Sequence, residues 1–224
     1  MSEYIRMQIA SSKSSIWIAQ RQGRTKDGLD KTEQGLLKML SMSGKGDFEA
    51  DMSELSFLPI AISYEFEPCD IEKAVEVYVG RRQKYVKSEG EDLESILTGM
   101  KQWKGNIHLE ATESISPKEI SDCSKLVKNE RFMALSKIID KRIHSAYRLW
   151  PNNYIAADLL SNEGHYCNRY SNEQRDCFID YMQKRISAGQ KSIDAHSQEK
   201  YPFVKEELED IFLRIYANPV LYFE

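Results

Sequence analysis

Apolar residues along this chain recur with two different periods, and the change of period marks out its elements. Tyr4, Ile5 and Ile9 share one side of a short helix over residues 2–13. Ile16, Trp17, Ile18 and Ala19 form a continuous apolar, β-prone run, which predicts a strand buried on both faces. After a loop at 20–29, Asp30 stands three residues before Glu33, a capping-box spacing, and Leu36, Leu37 and Leu40 follow on one face of a helix ending near Gly44. Phe57, Leu58, Ile60, Ala61 and Ile62 read as a second buried strand. Pro59 cannot donate to a ladder, so the strand lies at an edge, or Pro59 sits at its start or at a bulge.

From Asp70 the pattern is helical, with Ile71, Ala74, Val75, Tyr78 and Tyr85 aligned. Leu93, Ile96, Leu97, Met100 and Trp103 repeat that spacing in a further helix that Gly105 ends. Core packing is the simplest use of the Met100–Trp103 face, and docking on a bilayer is the other. Ile107, Leu109 and Ala111 alternate with His108, Glu110 and Thr112, the mark of a half-exposed strand with His108 on its polar face. Strand, helix, strand, helices, strand predicts an α/β fold: a partial, mostly parallel sheet flanked by helices over residues 1–115.

At Ser116 the character changes. Ser116-Pro117-Lys118-Glu119 combines an N-cap, proline at the first helical position and glutamate at the third. Helical periodicity then runs through Ile120, Leu135, Ile139 and Ile143, through Phe178, Met182 and Ile186 after Ser171, and through Leu208, Ile211 and Ile215 before Asn218-Pro219. Residues 116–224 are therefore expected to form an all-helical extension packed on the α/β part.

Composition narrows the class. With 41% hydrophobic and 29% charged residues over 224 positions, the chain can bury a core, and its apolar runs fall short of the roughly 20 residues of a spanning helix. The start lacks a secretory apolar block, so a cytoplasmic protein is expected, with contact to the inner face of a membrane left open. The four cysteines include no CxxC pair and read as reduced thiols. Glu163, His165, Cys167 and Cys177 have ligand chemistry, but a solvent-facing histidine with half-buried thiols is the simpler reading, and no metal is expected. Net charge is −4, yet residues 1–45 hold eight Lys/Arg against four Asp/Glu, leaving −8 on the remainder. That acidic remainder argues against nucleic acid, while a cationic N-terminal third suits a small anionic substrate, an anionic lipid surface, or simply a solvated helix face.

The cations concentrate in Arg21-Gln22-Gly23-Arg24-Thr25-Lys26, after the apolar run and before a helix. Loop amides, a permissive glycine, arginine forks and a lysine point charge together suit a phosphate or similar head group. This segment, followed by the apolar-Pro-apolar run Phe57-Leu58-Pro59-Ile60-Ala61-Ile62, resembles the PlsC-type glycerolipid acyltransferases (the lysophosphatidate and glycerol-3-phosphate acyltransferase superfamily), bacterial members above all. The resemblance covers residues 1–115, with a weaker motif at Asn153-Tyr154-Ile155-Ala156. It implies acyl transfer from a thioester on coenzyme A or acyl carrier protein, with no other cofactor, to a glycerol-phosphate-type hydroxyl acceptor in phospholipid biosynthesis. Arg21, Gln22, Gly23, Arg24, Thr25 and Lys26 would bind the acceptor.

Two departures are plain. Gln22 stands where the family has glutamate. The family's His-x4-Asp base and orienter is also absent: His108, His144, His165 and His196 have Glu113, Leu149, Tyr170 and Tyr201 in the aspartate's position. The expectation is a chain beginning in mid-domain, with no catalytic residue of its own and inactive alone. A non-catalytic remnant or interaction module with an anion-binding loop remains the alternative, as does an unrelated α/β anion-binding protein.

Overall fold

The computed structural model describes residues 1–11, 14–20, 25–196 and 202–223. Its elements, in chain order, are α1 (Ser2–Ala10), α2 (Gln34–Ser41), α3 (Phe48–Ser53), β1 (Ile60–Tyr64), α4 (Asp70–Gly80), α5 (Glu91–Lys101), β2 (Ile107–Ala111), α6 (Pro117–Ser124), α7 (Lys128–Ala146), α8 (Pro151–Ser161), α9 (Asn172–His196) and α10 (Lys205–Phe223). The chain divides into two compact units. One holds residues 1–24, 30–62 and 109–147; the other holds 25–29, 63–108 and 148–224. Both strands pass from one unit to the other.

The expected partial, mostly parallel sheet is not formed. Among the described residues β1 and β2 make a two-stranded antiparallel sheet. Thr112 donates its N–H to the Pro59 carbonyl (3.0 Å) at one end, and Glu65 donates to the Asn106 carbonyl (2.9 Å) at the other. The physical reason lies in the connection. A single crossover helix would return the chain to the starting end of β1 and give a parallel neighbour. Two helices, α4 and α5, intervene here and bring it back to the finishing end. Pro59 precedes the strand and only accepts, so its missing N–H removes nothing from the ladder.

The expected strand at Ile16–Ala19 is also absent: residues 14–19 take no regular structure, and Trp17 and Ile18 are exposed. An apolar run becomes a strand only if a ladder receives it, and none does. The capping box expected at Asp30 does not form either. Helix α2 begins at Gln34 with Glu33 as its N-cap and no side-chain cap, while the Asp30 carbonyl meets His144 Nε2 at 2.8 Å.

In the first unit the core is built from Leu37, Leu40, Met52, Ile120 and Leu135, with Phe48 meeting Phe132 edge-on at 5.3 Å. The cap on α6 matches the sequence pattern: Ser116 Oγ accepts from the Glu119 N–H, and the Glu119 carboxylate accepts from the Ser116 N–H. Arg142 of α7 binds the Glu119 carboxylate at 2.8 and 2.9 Å and the carbonyls of Glu113 and Ser114. The chain start is tied in by Arg6, which reaches the Asp51 carbonyl and the Glu54 carboxylate.

The second unit is a helical bundle in which α10 packs on α8 and α4, and α9 packs on α4. Tyr78, Ile155, Phe178, Ile186, Leu208 and Phe212 fill its centre. Glu207 of α10 is clasped by Arg81 and Arg82 from the end of α4, and Arg82 lies over the Tyr78 ring at 4.1 Å. The Arg82 hydrogen bond is the main cause of a Glu207 carboxyl held below its ordinary range. A carboxyl titrating lower in the folded state contributes stability above its unfolded value, near 4.3, and loses it as pH falls through the folded value. Glu207→Gln should therefore lower the unfolding free energy by roughly 0.5–1 kcal/mol at pH 7. In urea titrations the gap from wild type should narrow as pH falls below the ordinary glutamate range and through the lowered folded value; a gap unchanged from neutral to acid pH would contradict the coupling.

Helix α5 is mounted opposite to its sequence pattern. Glu91, Ser95 and Thr98 are half-buried, Cys69 Sγ donates to the Ser95 carbonyl (3.6 Å), and Tyr85 donates to the Glu91 carboxylate (2.9 Å). The stripe of Leu93, Ile96, Leu97 and Met100 faces solvent, with Met100 74% and Leu93 61% exposed. Core packing, the simplest expectation for this face, is thus overturned. Tyr85 lies beyond the end of α4. In β2 the apolar residues Ile107 and Leu109 are exposed and His108 is half-buried, the reverse of the expected facing. Among the described residues no helix is long and apolar enough to cross a membrane.

Candidate functional site

The structure describes the downstream end of the cation-rich segment. Arg21, Gln22, Gly23 and Arg24 lie outside the described residues. Thr25 is buried at 5% exposure, and Lys26 forms an ion pair with Glu76 of α4. Residues 25–29 are set into the second unit by a small number of specific contacts. Asp27 accepts the Leu29 N–H on its carboxylate (3.1 Å) and the Asn218 side-chain amide on its carbonyl (2.7 Å).

Gly28 completes this seat. Its φ of +73° is a conformation that side chains other than glycine's adopt at a penalty. A Cβ there would stand 2.2 Å from the Ile215 carbonyl oxygen and 3.3 Å from Pro219 Cδ. Pro219 lies inside α10 and has no N–H to give the carbonyl four residues back, which is that of Ile215. That carbonyl thus lacks its usual partner in the helix ladder, and the Gly28 backbone lies against it.

A polar cluster holds the same helix one turn earlier. Asp70, fully buried at the first position of α4, accepts on Oδ1 from Arg185 Nε (2.7 Å) and the Ile71 N–H (2.6 Å). On Oδ2 it accepts from the hydroxyls of Tyr181 and Tyr216, both at 2.7 Å. The Tyr216 hydroxyl in turn accepts the Glu67 N–H (3.0 Å), and Arg185 also reaches Glu72 (3.1 Å). Burial pushes the Asp70 carboxyl up, against the Arg185 charge and the tyrosine hydroxyls. Burial and the neighbouring Asp70 charge drive both tyrosines upward as well, so their hydroxyls stay protonated and donate. With four donors on two oxygens, Asp70 has no lone pair left for a substrate. The cluster joins α4, α9 and α10; it is not a proton-transfer site.

Asn153 extends the join. Its amide donates to the Tyr216 carbonyl (2.8 Å) while its oxygen accepts the Trp150 N–H (2.7 Å), and neighbouring Asn152 donates to the Glu65 carbonyl (2.7 Å). The Asn153-Tyr154-Ile155-Ala156 motif therefore serves to tie α8 to α10. Sequence reasoning missed Asp70, Tyr181, Tyr216 and Asn218. A signal was available: Asn218-Pro219 interrupts an otherwise apolar helical run, where a buried amide needs a partner.

Elsewhere, an open depression of about 570 Å³ in the first unit is lined by Glu110, Thr112, Lys141 and Arg142 among others. Arg142 is committed to Glu113, Ser114 and Glu119, so that depression lacks an available guanidinium. His165 lies on the surface against Glu163, and Cys167 and Cys177 are exposed. No family model, curated protein or solved structure matches this chain.

Proposed function

We propose that this chain provides the acceptor-binding side of a glycerolipid acyl transfer and does not itself move the acyl group. In this reading the phosphate of a glycerol-phosphate-type acceptor is held by Arg21, Arg24 and the Gly23 amide, with Gln22 toward a glycerol hydroxyl. The base that deprotonates the acceptor hydroxyl for attack on an acyl thioester comes from outside this sequence. The observation that carries the reading is the pairing of the cationic segment with a built seat for its downstream end. Gly28, Asn218 and Pro219 fix residues 25–29 immediately after Arg24. A fixed residue immediately after Arg24 reduces the conformational freedom that binding has to remove at the downstream end of the segment. Lys26 is engaged by Glu76, so it would join the acceptor only by exchanging that carboxylate for the phosphate.

Calorimetric titration with glycerol 3-phosphate tests this. Binding is expected, weakened at least about tenfold by Arg24→Ala and tightened by Glu76→Gln, which releases Lys26. Absence of binding, or indifference to Arg24→Ala, would overturn the proposal. A second reading, a non-catalytic interaction module that keeps the anion-binding loop, is favoured by the outward apolar face of α5 and by the missing His-x4-Asp. It shares the phosphate site and differs in having no role in acyl transfer.

A further inference from the structure

The outward stripe of α5 is the largest unexplained feature of the second unit. Leu93, Ile96, Leu97 and Met100 form it, and Trp103, two residues past the helix end and 63% exposed, lies against Phe66 at a ring separation of 4.6 Å. From these exposures, the five side chains present on the order of 600 Å² to solvent, at the upper limit of the largest patch on a typical monomer. That is close to the ~800 Å² each partner contributes to a standard interface. A lone helix has no reason to turn this stripe away from its own core while Ser95 and Thr98 face inward.

Charge along the helix selects the partner. The first turn carries Glu91, Asp92 and Glu94, and the basic residues Lys101 and Lys104 stand at the other end. Helices lying on anionic lipid carry an excess of cations on their polar face, whereas α5 carries three acids, of which Asp92 is paired by Lys87, against Lys101 alone. A second copy of the same helix, laid antiparallel about a two-fold axis, meets the requirement. Each acidic end then opposes a basic end, the helix dipoles run in opposite directions, and the patch is its own complement.

We propose that α5 is a self-association helix through which two copies of this chain form an antiparallel, isologous dimer. The patch uses no residue of the cationic segment, so this inference does not depend on the function proposed above.

Sedimentation velocity on the full 224-residue chain over about 1–100 µM, a range bracketing micromolar dissociation constants, tests it. A monomer–dimer equilibrium is expected. Met100→Lys and Leu97→Glu should leave only monomer, with the far-UV circular dichroism of the wild type, because both side chains are exposed. Glu94→Lys or Lys101→Glu alone should weaken association about tenfold, and the double reversal should restore it in part. A wild-type chain that stays monomeric throughout overturns the proposal, as does a dimer indifferent to Met100→Lys. Flotation with phosphatidylcholine/phosphatidylserine vesicles supplies the last arm. Monomer binding to vesicles, abolished by Met100→Lys, would assign the face to lipid and overturn the dimer.

Discussion

Replacing Asp70 with alanine is expected to lower the unfolding free energy of the second unit by about 3–5 kcal/mol, the range for removing one partner of a buried charged pair. The loss comes from what remains. Arg185 keeps Glu72 but loses its buried counter-charge, and the hydroxyls of Tyr181 and Tyr216 lose their acceptor. The two hydroxyls from α9 and α10 would then be buried without an acceptor, Arg185 would be left with Glu72 alone, and the α4 N-terminus would lose a carboxylate that also satisfies the Ile71 N–H. Tyr216→Phe should cost less, about 1–3 kcal/mol, because it strands only the Glu67 N–H and one Asp70 acceptor site. Since the two residues share one network, their effects should be strongly non-additive in a double-mutant cycle. Urea unfolding monitored by circular dichroism provides the measurement. A loss below about 1 kcal/mol for Asp70→Ala would show that the cluster does not hold the bundle.

Gly28→Ala is expected to release residues 25–29 from their seat. An alanine at φ +73° carries a left-handed penalty of about 1–2 kcal/mol. Its Cβ would also overlap the Ile215 carbonyl oxygen at 2.2 Å. Backbone stands on both sides of that contact, so no rotamer change relieves it, and overpacking of this kind adds roughly 1–3 kcal/mol. The chain can escape only by lifting the segment, which breaks the Asn218–Asp27 bond and the Lys26–Glu76 pair. Trypsin should then cut at Lys26 faster than in wild type, and the midpoint of urea unfolding should fall. Gly35→Ala is the control: a Cβ there meets nothing within 4 Å inside α2, and the change should be neutral or stabilising by up to about 1 kcal/mol. Equal proteolysis of wild type and Gly28→Ala would mean that the seat does not restrain the segment.

How far these features could be read in the sequence varied with how local their causes are. The α6 cap was legible because Ser116, Pro117 and Glu119 act on amides within four residues. The start of α9 was legible for the same reason: Ser171 and Gln174 bond reciprocally as a cap. The apolar run at Ile16–Ala19 misled, since a strand exists only where another strand receives its N–H and C=O groups. Sheet direction misled too: both helices between the strands were legible, but their order in the chain does not state at which end of β1 the chain returns to pair. The cationic segment was legible as chemistry. Its seat was not, since Asp27 and Asn218, which bond to each other, stand 191 positions apart in the chain.

By itself, the order of residues determined where α6 and α9 begin, where several apolar stripes lie, and which short stretch concentrates cations, because propensity, capping and charge act over one or two turns. The tertiary structure alone decided which way each stripe faces. The α5 stripe has ordinary helical periodicity, yet Cys69 and Tyr85 draw its polar side inward and leave Leu93, Ile96, Leu97 and Met100 to solvent. Likewise Asp70 looks like an ordinary first-turn acid until folding brings Tyr181, Arg185 and Tyr216 to it from more than a hundred residues away. Burial is a property of the whole packed chain, so periodicity can identify a face without naming what covers it.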